Sequence, residues 1–478
     1  MFAARGLAGG WLAEGQRIPS THYAMLSSRL DLSVLDSDFP FVLFMPQVRT
    51  EELLEEHAAA VGVRILRGHE VTAVSADDDG VQVTAMGPGG SREFGAGYLA
   101  GCDGRRSIVR DAAGIGYEGT EDTITCVIGD VHLADDDVPP AMTLHSAGGS
   151  FYGVRLDRTR HRLIGIEHAT MTTARDVPLE FDEYRGTIER LTGRDFGMHD
   201  PTWLTRVGSS TFQADRYREG RIVLAGDAAH VHFPMGGQGL NLGLQDAMNL
   251  GWKLAAVARS AAPADLLDSY GTERAPAGQA VIQDTLAQTA VVAAQGREGQ
   301  ALRAMLTSAL TASPDFNRRL AVAASGVDVA YPAGEGDHPL TGRRVPNLAL
   351  ADGSDVFGRL AAGRFVLTGI DPGELAGSAG PDIEDAVLTT AAGFAGAPPP
   401  WDTVRAALIR PDGHLAWAAG HGPGPDASPA GAPGATGTPR ATGTSEVTGT
   451  TGATWTTGAA GAVAALRRWL PGRHTASR

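Results

Sequence analysis

Sulfur and lysine are scarce in this chain. Cys102 and Cys126 are its two cysteines, too few for a disulfide framework, so a reducing, cytoplasmic setting is expected. Lys253 is the sole lysine, which leaves nearly all positive charge to arginine. Acidic residues outnumber basic ones, and the formal net charge is −15. With no basic field to attract phosphates, the expectation is no nucleic-acid partner. Long apolar runs are missing too. None approaches the roughly 20 residues that cross a bilayer, so no membrane partner is expected. The opening MFAARGLAGGW is broken by Arg5 and by glycines. It reads as the end of a helix whose beginning is absent, not as a signal peptide. Residues 1 to 45 also lack a strand, a G-x-G-x-x-G turn and a helix, the unit of roughly 30 residues or more that cradles a dinucleotide.

What is present suits a globular protein. The chain has 478 residues, room for two or three domains, and its 43% hydrophobic and 20% charged content is ordinary for a soluble fold. One stretch organises the rest: Arg221 to Leu254, RIVLAGDAAHVHFPMGGQGLNLGLQDAMNLGWKL. A buried strand from Ile222 to Ala225 ends in Gly226-Asp227. That places a carboxylate just beyond the carboxyl end of a sheet, the edge where open α/β sheets bind ligands. Gly236, Gly237 and Gly239 then bare the backbone before a helix. The first N–H groups of that helix, at its positive dipole end, suit an anion or a developing negative charge. The glycines alone do not make a phosphate fingerprint. Counted from Gly237 and Gly239, the third glycine would fall on Leu242, and by itself GGQG is a tight turn. His230 and His232 lack a third ligand of suitable type nearby, so they read as loop-stabilising residues and no metal site is expected.

The whole string is more specific than its glycines. GDAAH, a proline, GGQGLN and then QDAxNLGWKLA resemble the second flavin-binding motif of the class A flavoprotein aromatic hydroxylases, the para-hydroxybenzoate hydroxylase type. Gly101 to Arg110, GCDGRRSIVR, resembles the same family's Asp-Gly motif, and Pro46-Gln47 with Glu51 opening a helix is a shorter match. Within the family, the polyketide hydroxylases that act on angucyclines and anthracyclines are most similar. The resemblance implies a mixed α/β (α+β) fold. Its parts are an incomplete Rossmann-like FAD domain, a β-sheet substrate domain and a C-terminal thioredoxin-like domain. FAD and NADPH are the implied cofactors.

The resemblance also assigns roles. Asp227 accepts from a ribityl hydroxyl, Pro234 stiffens the loop facing the isoalloxazine ring, and Gly226 and Gly237 are further cofactor-binding residues. The amides of Gly239, Leu240 and Asn241 suit the negative charge of the reduced ring. Asp103 and Gly104 lie between the two nucleotide cofactors, Arg110 orders that loop, and Gln47 is a further flavin contact. No catalytic acid, base or nucleophile is named. The absent G-x-G-x-x-G unit is the departure from the family. Three explanations stay open: the start lies inside the natural protein, the chain is a remnant without the adenosine-phosphate cradle, or another chain supplies the segment.

Taken in order, residues 1–116 are expected to form the first part of the FAD domain, 117–212 the substrate domain, 213–330 the second part of the FAD domain with its helices, and 338–478 the C-terminal domain. Thr50 to Val61 reads as a helix. Val63 to Leu66, Glu70 to Ser75 and Val81 to Ala85 read as strands, with Asp77 to Gly80 as a solvated turn. Strands follow at Thr123 to Leu133, Met142 to His145, Phe151 to Leu156, Arg162 to His168 and Trp203 to Phe212, with a helix near Phe181 to Leu191. Met142, Phe151 and Tyr152 are candidates to line the substrate pocket, although a strand aromatic is commonly core. Asp265 to Ala294 and Leu302 to Ala324 read as helices that the family uses beside the flavin domain and in a possible homodimer. Pro411-Asp412-Gly413 suits a hairpin turn. About 420–461 is Gly-, Ala-, Thr- and Pro-rich and reads as a disordered insertion before a last helix at Ala462 to Leu470.

The resulting functional expectation is an FAD- and NAD(P)H-dependent monooxygenase. It would hydroxylate a polycyclic aromatic polyketide with O₂ through a flavin hydroperoxide. Two other readings stay open, a rifamycin-type antibiotic-modifying monooxygenase and a cofactor-free binding or assembly protein.

Overall fold

The computed structural model describes residues 1–135, 137–370, 388–420 and 458–470. It opens with α1 (Ala8–Glu14) and four short strands, β1 (Gln16–Ile18), β2 (Ser20–His22), β3 (Arg29–Asp31) and β4 (Val42–Phe44); β1 pairs with β4 and β2 with β3. Helix α2 spans Gln47–Ala60 and begins directly behind Pro46, three residues before the expected start at Thr50. The expected strand at 63–66 is irregular chain, and Val63, Arg64 and Ile65 are exposed. Next come β5 (Glu70–Ala76), β6 (Val81–Gly87) and β7 (Gly90–Ala96), an antiparallel meander. Its first tip is the expected turn, where the Asp77 carboxylate accepts from the amides of Asp79 and Gly80, both at 2.9 Å.

Strand β8 (Leu99–Gly101) leads into α3 (Ile108–Ala112) and β9 (Tyr117–Thr120). A five-stranded antiparallel sheet follows, made of β10 (Thr125–Leu133), β11 (Ala141–Ser146), β12 (Gly149–Arg155), β13 (Arg160–Glu167) and, after helix α4 (Phe181–Thr192), β14 (Met198–Gly208), in the order β11-β12-β13-β10-β14. The inner strands β10, β12 and β13 bury side chains on both faces. Phe151, Leu163 and Val127 pack on Tyr184, Ile188 and Leu191 of α4. Tyr152, Ile164 and Ile128 face Met25, Phe233 and Met235. The strand expected at 203–212 is two, because the chain breaks at Ser209-Ser210, where the Ser209 hydroxyl accepts from the amides of Thr123 and Ile124. The second piece, β15 (Thr211–Ala214), joins a different sheet, between β9 and β18 (His230–Val231).

Strands β16 (Arg218–Glu219) and β17 (Ile222–Leu224) complete the small sheet that contains β8. The β8–β17 pair is parallel, with Leu224 opposite Gly101. A side chain at 101 would lie 2.7 Å from Val109 Cγ1, so glycine lets α3 close on this strand. The helices are α5 (Gly239–Ala258), α6 (Asp268–Ala293), α7 (Gly296–Ala312) and α8 (Pro314–Ser325). The single helix expected over 302–324 is broken at Ser313-Pro314. Ser313 caps α8 by accepting from Phe316 N, and Pro314 takes the first helical position.

Beyond these lie α9 (Val356–Leu360), β19 (Phe365–Thr368), β20 (Leu388–Ala391), β21 (Val404–Ile409), β22 (Leu415–Gly420) and α10 (Ala459–Trp469). The sheet order is β20-β19-β21-β22, with β19 parallel to β20 and antiparallel to β21. This mixed order is compatible with the thioredoxin-like expectation. Asp412 sits in the expected hairpin turn between β21 and β22. Most of the expected disordered insertion lies outside the described residues; its last residues, 458–461, open α10. One face of this sheet, Phe365, Leu367 and Leu408, packs with α10 against Trp252 of α5. Among the described residues no helix is long and apolar enough to cross a membrane.

Candidate functional site

The parallel pairing of β8 with β17 brings the two motifs, more than a hundred residues apart, to one sheet end. The chain leaves β17 through Gly226, whose φ of 61° is a left-handed value that favours glycine. An added Cβ on Gly243 of α5 would lie 3.4 Å from the Gly226 Cα, so turn and helix approach closely. Asp227 follows, exposed, and none of the described residues hydrogen-bonds its carboxylate; its backbone carbonyl accepts from the Tyr117 hydroxyl at 3.3 Å. Past the exposed Pro234, Gly236 and Gly237 take φ values of 72° and 65°. The space a Gly237 side chain would occupy is open for 4 Å.

Helix α5 then begins with no side-chain cap, and its first internal backbone bond runs from Leu242 N to Gln238 O at 2.9 Å. The amides of Gly239, Leu240 and Asn241 therefore face outward without an acceptor in the helix, and Leu240 and Asn241 are exposed. An open carboxylate beside uncapped amides at a helix N-terminus fits a ligand with hydroxyls near an electron-rich polar edge. A flavin's ribityl chain and pyrimidine ring carry that pattern.

The Asp-Gly turn is built differently. Asp103 accepts from the Ser107 hydroxyl at 2.5 Å and from the Val109 amide at 3.1 Å, while Ser107 caps α3 by accepting from Arg110 N. Both carboxylate oxygens thus shape the turn itself. Gly104, with φ of 79° and nothing within 4 Å of an added side chain, leaves the backbone open there. Arg110 is buried and joins the two motifs. It donates to the carbonyls of Arg105 (3.0 Å) and Ala228 (3.3 Å), and its guanidinium lies 3.9 Å from the Tyr117 ring centre. Arg105 donates to Ser210 at 2.5 Å. Arg106 borders a cleft of about 500 Å³ that also includes Thr123, Thr125, Met171 and Arg175. Gln47, exposed at the start of α2, donates to Glu51 at 2.8 Å.

Beneath the turn lies a carboxylate not singled out in the sequence. Asp246 of α5 is fully buried; its Oδ2 accepts from Gly226 N (3.1 Å) and His230 Nε2 (2.6 Å), and its Oδ1 from Arg274 Nε of α6 (2.8 Å). A carboxylate only accepts, so Nε2 of His230 carries the proton. Burial would raise this carboxyl, but the His230 hydrogen bond and the Arg274 charge outweigh it and hold the pKa below its ordinary 3.8. His230 is thus the loop-stabilising residue expected, and His232 turns away to the Phe233 carbonyl at 2.8 Å. The signal available in the sequence was a charged residue inside QDAMNLGWKL on the face that also presents Leu242, Leu250 and Lys253.

The three pocket candidates divide by strand alternation. Met142 and Phe151 lie on the face covered by α4, with Phe151 fully buried against Phe196 at a ring separation of 5.9 Å. They are core. Tyr152 lies on the inner face, its ring 4.8 Å from that of His22. Burial, then the Arg29 charge, push the His22 pKa down to about 4, so its imidazole is neutral near pH 7.

Known proteins place the chain in a family. Residues 1–285 match the family model described as FAD binding domain, and residues 338–434 match that described as aromatic-ring hydroxylase, C-terminal. The uncharacterized aromatic compound monooxygenase YhjG of Bacillus subtilis is 41% identical over 426 residues, covering 87% of this chain and 84% of the relative. The 12-dehydrotetracycline 5-monooxygenase/anhydrotetracycline 6-monooxygenase of Streptomyces rimosus is 39% identical, with 88% and 86% covered. Among solved structures, the anhydrotetracycline hydroxylase OxyS from Streptomyces rimosus superposes with a TM-score of 0.77 at 40% identity, covering 89% of this chain and 86% of that one. The chain belongs to the FAD-binding aromatic-ring hydroxylases and is a flavin-dependent aromatic monooxygenase of the class A type.

Proposed function

We propose that the protein hydroxylates a polycyclic aromatic polyketide, using FAD, NADPH and O₂, in a reducing cytoplasm. The observation that carries this reading is the pairing of the unbonded Asp227 carboxylate with the uncapped amides of Gly239, Leu240 and Asn241. Relatives whose names specify tetracyclic substrates support the substrate class. A bound flavin would supply hydride acceptance, O₂ reduction and oxygen transfer to the ring.

The chain's own residues bind, orient and exclude water. Asp227 accepts a hydrogen bond from a ribityl hydroxyl, and Gly226 and Gly237 keep the backbone clear for it. The three amides stabilise negative charge on the ring edge. Pro234 holds the loop against the aromatic face, while Phe233 and Met235 carry the apolar core up to the inner sheet face. Tyr152 is proposed to contact the substrate there, with neutral His22 beside it. Asp103 and Arg110 keep the Asp-Gly turn in register with Gly226, and Gly104 offers open backbone to the nicotinamide cofactor. Gln47 is a more distant flavin contact from α2.

The test is to titrate the purified chain with FAD and then follow NADPH oxidation. Oxidation stimulated by a tetracyclic phenol, with a product heavier by one oxygen atom, supports the proposal. Stimulation by a rifamycin alone would move the substrate class, and a folded chain that ignores FAD would leave the cofactor-free reading.

A further inference from the structure

Two adjacent residues of α6 reach in different directions. Arg274 holds Asp246, which in turn holds Gly226 N and His230 at the two ends of the flavin turn. It also donates to the Leu242 carbonyl at 3.3 Å, in the first turns of α5. Glu273 points to the C-terminal domain, where both its oxygens accept from Arg410, the residue directly after β21, at 2.6 and 2.8 Å. It accepts as well from Asn249 (2.6 Å) and from Lys253, the sole lysine (2.7 Å).

Arg410 is also paired with Asp412, and Asp412 accepts from Trp252 Nε1 of α5 at 3.1 Å. The Arg410 guanidinium is flanked by Trp469, Tyr331 and Trp252, at 4.6, 4.9 and 5.3 Å from their ring centres. Arg274, Glu273, Asp246 and Arg410 are all buried. Ions this deep are costly unless every partner is in place, so the position of one constrains the next.

We infer that the C-terminal domain positions the flavin turn, with Arg410 as its positioning residue acting through Glu273, Arg274 and Asp246. The inference rests on the flavin reading of the turn, but the coupling itself is a property of the flavin-free chain. Arg410 lies on another domain and touches none of Gly226, Asp227 or the amides at the start of α5. It fixes the α6 segment from which Arg274 extends. A disturbed α6 displaces Arg274, leaves Asp246 short of one partner, and frees the Gly226 amide and His230.

The test uses the full-length chain and its Arg410→Met, Asp246→Asn and double variants, with Glu273→Gln as a second route should Arg410→Met fail to fold. Hydrogen exchange of the flavin-free proteins is read over residues 225–242, and FAD affinity by fluorescence titration. Arg410→Met or Glu273→Gln is expected to speed exchange at 225–242. FAD Kd should rise on the order of tenfold, within the span usual for coupled sites. The double variant should be little worse than Asp246→Asn alone, because both changes act along one path. Exchange that quickens only around 401–419, or losses of affinity that multiply in the double variant, would overturn the inference. If the parent chain ignores FAD, the exchange arm still decides the coupling, while the flavin reading fails separately.

Discussion

At the residue scale, the site is a set of groups left without partners where partners would be easy to supply. Asp227 is the sharpest case. Because its exposed carboxylate bonds nothing in the described chain, Asp227→Ala should leave the unfolding free energy within ~0.5 kcal/mol of the parent. FAD Kd should rise about ten- to a hundredfold, the value of a hydrogen bond to a charged group. Titration and equilibrium unfolding on the same samples separate the two effects, and unchanged affinity would remove the assigned role. Phe151 and Tyr152 make the opposite pair. Phe151→Ala should cost about 3–5 kcal/mol, as for a fully buried aromatic, with substrate affinity per folded molecule unchanged. Tyr152→Ala should cost less stability and weaken substrate binding. Unfolding curves and substrate titrations check both, and the reverse ranking would contradict the face assignment.

These residues also show what was legible. Gly226-Asp227 and the glycines before α5 were readable because their chemistry is local, a strand ending in a carboxylate and a helix start with bare backbone. Met142 and Phe151 were not, because side-chain direction depends on register. One step along β12 separates core Phe151 from inner-face Tyr152. Asp103 stands in a recognisable motif, yet its engagement with Ser107 and Val109 is detail that no spacing announces.

At the element scale, α5 does two things. Its N-terminus offers amides to the site, and its buried side, through Asp246, Asn249 and Lys253, ties the site to α6. The carboxyls of Asp246 and Glu273 are both held below their ordinary values. Burial opposes this in each, and Arg274 with His230, or Arg410 with Lys253, prevails. A depressed carboxyl contributes stability that is complete above its unfolded pKa and is lost as pH falls through the folded value. The stability gap between the parent and Asp246→Asn should therefore be constant from pH 7 to about pH 5. It should narrow only below about pH 4, when the parent carboxylate also becomes protonated. Denaturant midpoints across that range test it, and a gap already closing between pH 7 and 6 would contradict the ionised, paired state. Breaking a buried pair of this kind costs about 3–5 kcal/mol, enough to measure. The division of the helix expected over 302–324 shows why element ends were less readable. Ser313-Pro314 is a cap and a first-turn proline, but a continuing apolar periodicity on both sides hides it.

At the scale of the whole molecule, one ionic seam runs from the turn after β17 to the C-terminal sheet. Changes of character along the chain suggest its division into parts, and the hairpin at Pro411 to Gly413 is legible as a turn. The sequence did not show that the turn's Asp412 and neighbouring Arg410 form the buried contact with α5 and α6. Pairs more than a hundred residues apart, such as Glu273 with Arg410, leave no local pattern. The sole lysine was noted for its rarity, while its burial against Glu273 is what gives it a role. The two family models match residues on either side of that seam, 1–285 and 338–434.

The central claim is that the turn after β17 and the start of α5 hold a flavin. Hydrogen exchange of the purified chain with and without excess FAD, read at residues 226–242 during a titration followed by flavin fluorescence, tests it most directly. Saturable binding with slowed exchange at Gly239 to Asn241, both weakened in Asp227→Ala, is the expected result. A folded chain that shows neither binding nor protection at those amides would contradict it.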